Sequence, residues 1–307
     1  MYNTRMFRFA FLLSLAATVL AASAQAAIVP VDIDTAAQLY QAAEIREQVR
    51  AGLGSMPAHI RKLFQGNTST PLSETQLAAV NVAAIRAFRI DVFEAPALSA
   101  FAANLDADTV KKTAAFLATD AGKRMVSADV DLASLSDADG DKIMNGDNAP
   151  ASTPQRLVLI EKLERAERSS ESTVQILLTM GTAVALGTAV GSGMDPGPVE
   201  ERARKSGEAS RQALQENMRE PLRRYMAYGY RDLSDADLKH ILSFLQSTAG
   251  KQYISAYLAS FGAGFQAMGR RCGEQLGESL RELAMAQLAT EGADPDHGPP
   301  PSIKPPK

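Results

Sequence analysis

The chain has 307 residues, 46% of them hydrophobic, with no Trp and a formal net charge of −3. That length suits two ordinary domains, and the Ala-rich, aromatic-poor composition suits packed helices. Mild acidity with mixed charges excludes a nucleic-acid binder, and no basic face is offered to anionic lipid.

Residues 1–26 read as a signal peptide. Arg5 and Arg8 supply the positive start, Phe9 to Ala22 the apolar run, and Ala22-Ser23-Ala24 or Ala24-Gln25-Ala26 the small-residue exit. The run is short for a membrane anchor, so export to the periplasm or beyond is expected. Removing this segment takes away two Arg and no acid, which leaves a net charge of −5. No Cys follows it. The single Cys272 excludes an intramolecular disulfide and falls in line with Phe265, Met268, Leu276 and Leu280, as a buried core thiol would.

Residues 27–135 form a first helical module. Thr35 to Met56 reads as a helix with Leu39, Ala42, Ala43, Val49 and Leu53 on one side, broken by Pro57. GNTSTP is a polar loop. Ser73, with Gln76 three residues on, starts a helix through Phe93 that Pro96 interrupts. Residues 136–155 read as an acidic Gly/Pro linker. Asp137, Asp139 and Asp141 have the 1-3-5 spacing of a calcium loop. Lys142 stands where that loop needs Gly and Asn148 where it needs Glu, so they are a weak candidate set only.

Residues 156–290 form the second module. Arg156 to Ser169 reads as an amphipathic helix with Leu157, Ile160, Leu163 and Ala166 inward. It parallels the start of module one, with Leu163 matching Leu39 and Met180 matching Met56. Ser172 to Met194 is uncharged and long enough to span a bilayer, but Ser, Thr, Gly and Ala fill more than half of it. A buried helix is expected, and membrane attachment through 172–194 is the alternative. After Gly250 a long helix carries a stripe from Ile254 to Leu288, with Gly269, Gly273 and Gly277 in a second line four apart. Small residues so spaced let another helix approach closely. The 254–288 helix is therefore the expected surface for a protein partner or self-association. Residues 291–307 are a Pro-rich tail.

One stretch occurs twice. Leu233 to Lys251, LSDADLKHILSFLQSTAGK, echoes Leu105 to Lys123, LDADTVKKTAAFLATDAGK, identical at seven of nineteen positions. Chance alone would give about one match. Leu105, Phe116 and Gly122, with Leu233, Phe244 and Gly250, define the repeat. Asp106 and Ser234 sit where an N-cap belongs. Gly122 and Gly250 are expected to allow a left-handed stop or tight bend, with Lys123 and Lys251 suiting the helix end that follows. The run Leu-Ser-x-x-acid-Leu-Lys-x-x-x-x-Phe-Leu-x-Ser/Thr-x-Ala-Gly-Lys resembles the uncharacterised bacterial envelope family catalogued as domain of unknown function 2059. The first copy keeps Phe-Leu and Ala-Gly-Lys and lacks the Ser and the acid–Leu pair. The resemblance implies Gram-negative export and an all-helical domain, and it supplies no catalytic residue.

His59, His240 and His297 share no ligand spacing with a carboxylate or Cys. The most suggestive cluster is Arg223 and Arg224 with Tyr225, Tyr228 and Tyr230, read either as an anion or partner site or as a helix end with aromatic packing. No residue is assigned to catalysis, a cofactor or a metal. The expected protein is all-α, two related modules in tandem. It is read as a non-catalytic binding or interaction protein of the envelope, with an enzyme assembled from scattered residues as the alternative.

Overall fold

A computed structural model describes residues 28–66, 72–147, 150 and 152–291. The expected signal peptide, most of the GNTSTP loop and the tail beyond Glu291 lie outside them. The described residues form thirteen helices and no strand, so the fold is all-α: α1 (Ile33–Ala42), α2 (Ile45–Leu53), α3 (Met56–Gly66), α4 (Glu74–Ala87), α5 (Ile90–Ala103), α6 (Ala107–Leu117), α7 (Asp120–Ala133), α8 (Asp137–Asn145), α9 (Pro154–Glu167), α10 (Ser169–Gly191), α11 (Gly197–Gly229), α12 (Asp235–Gln246) and α13 (Thr248–Glu291).

Local chemistry sets the helix starts. Asp32, Ser73, Asp106, Thr119, Ser136, Thr153 and Ser234 each accept a bond from the backbone N–H three residues on, each worth about 1 kcal/mol. Ser73 with Gln76 and Ser234 with Asp237 make reciprocal capping boxes. Several breaks differ from expectation. The first helix bends at Glu44, not at Pro57, which sits in the opening turn of α3, where its missing N–H is harmless. Pro96 lies inside α5, and the real break comes earlier, at Phe88–Arg89. Residues expected as linker contain α8, started by Ser136 and stopped by the left-handed Gly146. Ile143 and Met144 are buried against Leu132, Met218 and Leu222, so this segment is part of the body. In α9 the inward face is Leu159, Ile160, Leu163, Glu164 and Glu167, while Leu157 is exposed.

The repeat extends well beyond its nineteen-residue signature. Among the described residues, the two non-glycine residues with left-handed backbone, Glu44 and Arg168, stand 124 positions apart, the register that matches Leu39 with Leu163. Phe93, Ala97 and Phe101 of α5 are fully buried, as are Met218, Leu222 and Met226 of α11, and each set flanks an in-helix proline, Pro96 or Pro221. Helices that are separate in the first module are fused in the second: α10 is one helix where α2 and α3 are two.

The modules are interlocked. Phe116 stacks on its own counterpart Phe244 with ring centroids 4.0 Å apart and planes 5° from parallel. Arg124 pairs with Asp237 at 2.5 Å, and the counterparts of those two residues, Gln252 and Thr109, hydrogen-bond at 2.9 Å. Contacts exchanged in this way are the signature of a two-fold relation, here inside one chain. The last helix of each module lies on the other: α13 on α5, with Phe93 edge-on between Phe261 and Phe265 at 5.6 and 5.2 Å, and α7 on α11 and α12. One hydrophobic core runs through both.

The repeated motif is a helix corner. Thr119 and Ser247 each donate to the carbonyl of Phe116 or Phe244, at 2.7 and 2.6 Å, and accept from the N–H of Gly122 or Gly250. The glycines do not end a helix in the left-handed region. They lie in the first turn of α7 and α13, where a Cβ would sit 2.3 and 2.0 Å from the Phe116 and Phe244 carbonyl oxygens. Lys123 and Lys251 accordingly follow a helix start. Only Gly lets the second helix begin so close to the end of the first.

Helix α10, the counterpart of α2 and α3, packs along the later part of α13, which has no counterpart in the first module, and with the first half of α11 the end of this pair makes an arm. Helices α10 and α13 run parallel, and their glycine lines face each other. A Cβ on Gly273 would lie 2.1 Å from the Val184 carbonyl, one on Gly277 2.3 Å from that of Thr188, and one on Gly191 2.1 Å from that of Glu274. The glycine line expected to serve self-association is thus filled within the chain. Helix α10 has the length and apolar composition of a membrane span. Cys272 is fully buried on α13, and burial pushes its thiol up to about 12.

Candidate functional site

The three aspartates of the calcium-like spacing lie on or beside the first turns of α8. A helix turns about 100° per residue, so alternate positions diverge instead of converging on one ion. Asp139 accepts from the Ser136 hydroxyl and lies 3.6 Å from Lys142, and Asp137 lies 3.7 Å from His59. The Arg–Tyr cluster is also dispersed. Arg223 pairs with Glu161 at 3.1 Å, Arg224 donates to the Met144 carbonyl at 3.1 Å, Tyr225 donates to the Leu132 carbonyl at 2.8 Å, and Arg231 covers the Tyr228 ring. These side chains tie α11 to α7, α8 and α9. His240 lies edge-on to Phe116.

Tyr230 goes elsewhere. It is the C-cap of α11, 2% exposed, with its carbonyl held by Arg156, which also pairs with Asp235 at 2.8 Å. Its hydroxyl lies 3.3 Å from Asp129 Oδ1 on α7 and 3.2 Å from Glu167 Oε1 at the end of α9. Glu167 is 6% exposed, while Asp129 keeps an edge toward solvent. The Ser169 hydroxyl donates to Glu167 Oε2 at 3.1 Å, and the neighbouring Glu164 accepts from the Ser170 hydroxyl at 2.6 Å. The site therefore joins Asp129 from the first module to Glu167, Ser169 and Tyr230 from the second.

Proton counting constrains this arrangement. A tyrosine hydroxyl has one proton and can donate to only one of its two carboxyl neighbours. The other oxygen must bring a proton of its own. Ser169 donates to Glu167 Oε2, so the extra proton sits either on Glu167 Oε1 or on Asp129, and Tyr230 Oη–H is given to whichever of the two is ionised. The electrostatics agree. Burial raises the Asp129 carboxyl to about 7 against the lowering pull of the Tyr230 bond. Burial first, and then the charge of Asp129, raises Glu167 to about 8. Burial also holds the Tyr230 hydroxyl well above its ordinary range, so it stays protonated.

The matching place in the other half is chemically different. Asp129 corresponds to Tyr257 in the 128-residue register, and Ser172 to Gln48 in the 124-residue register. There the Tyr257 hydroxyl donates to Gln48 Oε1 at 2.6 Å and Gln48 Nε2 donates to the Ala43 carbonyl at 2.9 Å. That pin is neutral and fully satisfied. Ser172, with a shorter side chain than Gln48, is buried and finds no hydrogen-bond partner among the described residues.

Sequence reasoning did not find this cluster. The signal was present: Asp129 falls on the stripe of Met125, Val126 and Leu132, and Glu167 on that of Ile160 and Leu163, so both are acids on apolar faces. Comparison with known proteins matched no family model, no curated protein and no solved structure.

Proposed function

We propose that this chain is an exported, non-catalytic binding or interaction protein of the bacterial cell envelope that works through the free end of its arm. The observation that carries the reading is the arm itself. Gly193 lies beside Arg281, which puts the α10–α11 turn at the end where the last turns of α13 emerge. Val190 and Met194 on one side and Met285 and Leu288 on the other are exposed there, and apolar side chains gathered at an exposed tip mark interaction sites. Export is supported by Arg5, Arg8, the apolar run and its Ala-x-Ala exit. The resemblance to domain of unknown function 2059 supports the envelope setting.

The test is site-specific photo-crosslinking in cells. A crosslinker at Met194 or Met285 should trap one discrete protein adduct, in the exported fraction, while one at the exposed Lys205 should not. Absence of any adduct at both tip positions, or equal trapping at Lys205, would sink this reading.

One observation favours the enzyme reading: two carboxyls and a tyrosine from both modules meet, and paired acids with separated affinities for protons can serve acid–base chemistry. A substrate would have to reach them, and Tyr230 and Glu167 are buried. Carbodiimide labelling followed by mass spectrometry separates the readings. Rapid modification of both Asp129 and Glu167 in the native chain favours an open catalytic site; modification of Asp129 alone or of neither favours a closed pin.

A further inference from the structure

The acidic pin has a property that its neutral counterpart lacks: it is complete only when it holds one proton more than its tyrosine supplies. Two oxygens, Asp129 Oδ1 and Glu167 Oε1, flank one hydroxyl at 3.3 and 3.2 Å. With both carboxyls ionised, one of them faces the lone pairs of Tyr230 with no hydrogen between them. A buried charge so placed is strongly unfavourable. The three groups come from α7, α9 and the end of α11, so the strain falls on the contact between the modules.

We propose that Asp129, Tyr230 and Glu167 form a proton-loaded latch that holds α7 of the first module to the α9–α11 end of the second, closed while one carboxyl keeps its proton and loosened when both are ionised. The surroundings reinforce this. Glu164, next along the buried face of α9, adds negative charge toward Glu167. From α13, Tyr253 and Tyr257 face the site and feel both carboxyls, and both are neutral phenols held above their ordinary range by burial. From α12, Asp235 and Asp237 approach already paired, with Arg156 and Arg124. Arg168, between α9 and α10, is paired with Glu171. Asp129 is the member with an edge on solvent, and it offers the route by which the medium supplies or removes the proton.

The latch makes the folded chain hold protons that the unfolded chain releases, so stability must fall as pH rises. Both folded values lie above the ordinary carboxyl range, so the contribution is complete below about pH 4 and is lost progressively toward about pH 8. The test uses the whole chain from residue 27 onward, unfolded in urea at about pH 5 and about pH 9. The native chain should show a clear drop in midpoint, and Glu167→Gln, which carries its own donor and no charge, should lose most of it. Hydrogen-exchange protection, corrected for intrinsic rates, should fall with pH in α7 and α9 and hold in α1. Equal pH dependence in the native chain and the variant, or uniform loss of protection, would overturn the latch. If the variant does not fold, infrared spectroscopy of the native chain at about pH 6 decides: the carbonyl stretch of a buried protonated carboxylic acid is expected, and its absence would overturn the proposal.

Discussion

In one half of the molecule Gln48 accepts a bond from Tyr257; at the matching place in the other, Asp129 and Glu167 share the hydroxyl of Tyr230. Both are buried polar pins between the modules: one fastens α13 to α2, the other α7 to the ends of α9 and α11. A structural pin needs only satisfied hydrogen bonds, which the amide and phenol provide. The acidic version adds sensitivity to protons. The comparison also runs through shape. The first module ends its closing helix at Ala133, whereas the second continues α13 to Glu291 and builds the arm with α10. The duplicated core is thus common; the acidic pin, built from Asp129 of the first half and Glu167 and Tyr230 of the second, and the extended α13 are where the two halves differ.

The largest expected effect tests the arm. Gly273→Leu forces a side chain into the Val184 carbonyl and should destabilise the chain by several kcal/mol, lowering the midpoint of thermal unfolding and favouring precipitation. Gly181, on α10, has open space where a Cβ would sit and is the control, where Ala should be harmless. Next comes the acidic pin. Glu167→Gln should stabilise the chain by a few kcal/mol at about pH 9 relative to about pH 5, compared with the native chain in urea unfolding.

The converse change sharpens the contrast. Gln48→Glu places an acid beside the Tyr257 hydroxyl and removes the donor to the Ala43 carbonyl. Protonated, the new side chain can restore that donation; ionised, it cannot. It should give the neutral pin a pH dependence of the same sign, costing about 1–3 kcal/mol at about pH 9, by the same measurement. The smallest effect concerns the point where the copies meet. A double-mutant cycle on Phe116→Ala and Phe244→Ala should give a coupling of about 0.5–1.5 kcal/mol.

Much of the fold was legible in the sequence. The caps at Ser73, Asp106 and Ser234, the burial of Cys272 and the long final helix follow from short-range chemistry and from the 3.6-residue period. The repeat itself was visible in nineteen residues. Its mutual embrace was not, because Phe116 and Phe244 carry no mark that they touch each other. The role of Gly122 and Gly250 was misread for a related reason. A glycine after a helical run looks like a stop, and only the approach of the next helix shows that its missing Cβ is what matters. Helix α8 was hidden by a composition of Asp, Gly and Asn, which tertiary burial of Ile143 and Met144 outweighs. The acidic pin required knowing that two apolar stripes face each other.

Interlocking can be tested by cutting the chain between the modules. Residues 28–147 and 152–291, produced separately, should each be poorly folded by circular dichroism and by amide dispersion in NMR, because each leaves exposed the face that the other covers. Mixed, they should combine into a one-to-one complex with the helicity of the intact chain. If either half alone folded to a stable, monomeric, cooperatively unfolding domain, the modules would be beads on a string, and the shared core, the stacked phenylalanines and the latch between them would lose their meaning.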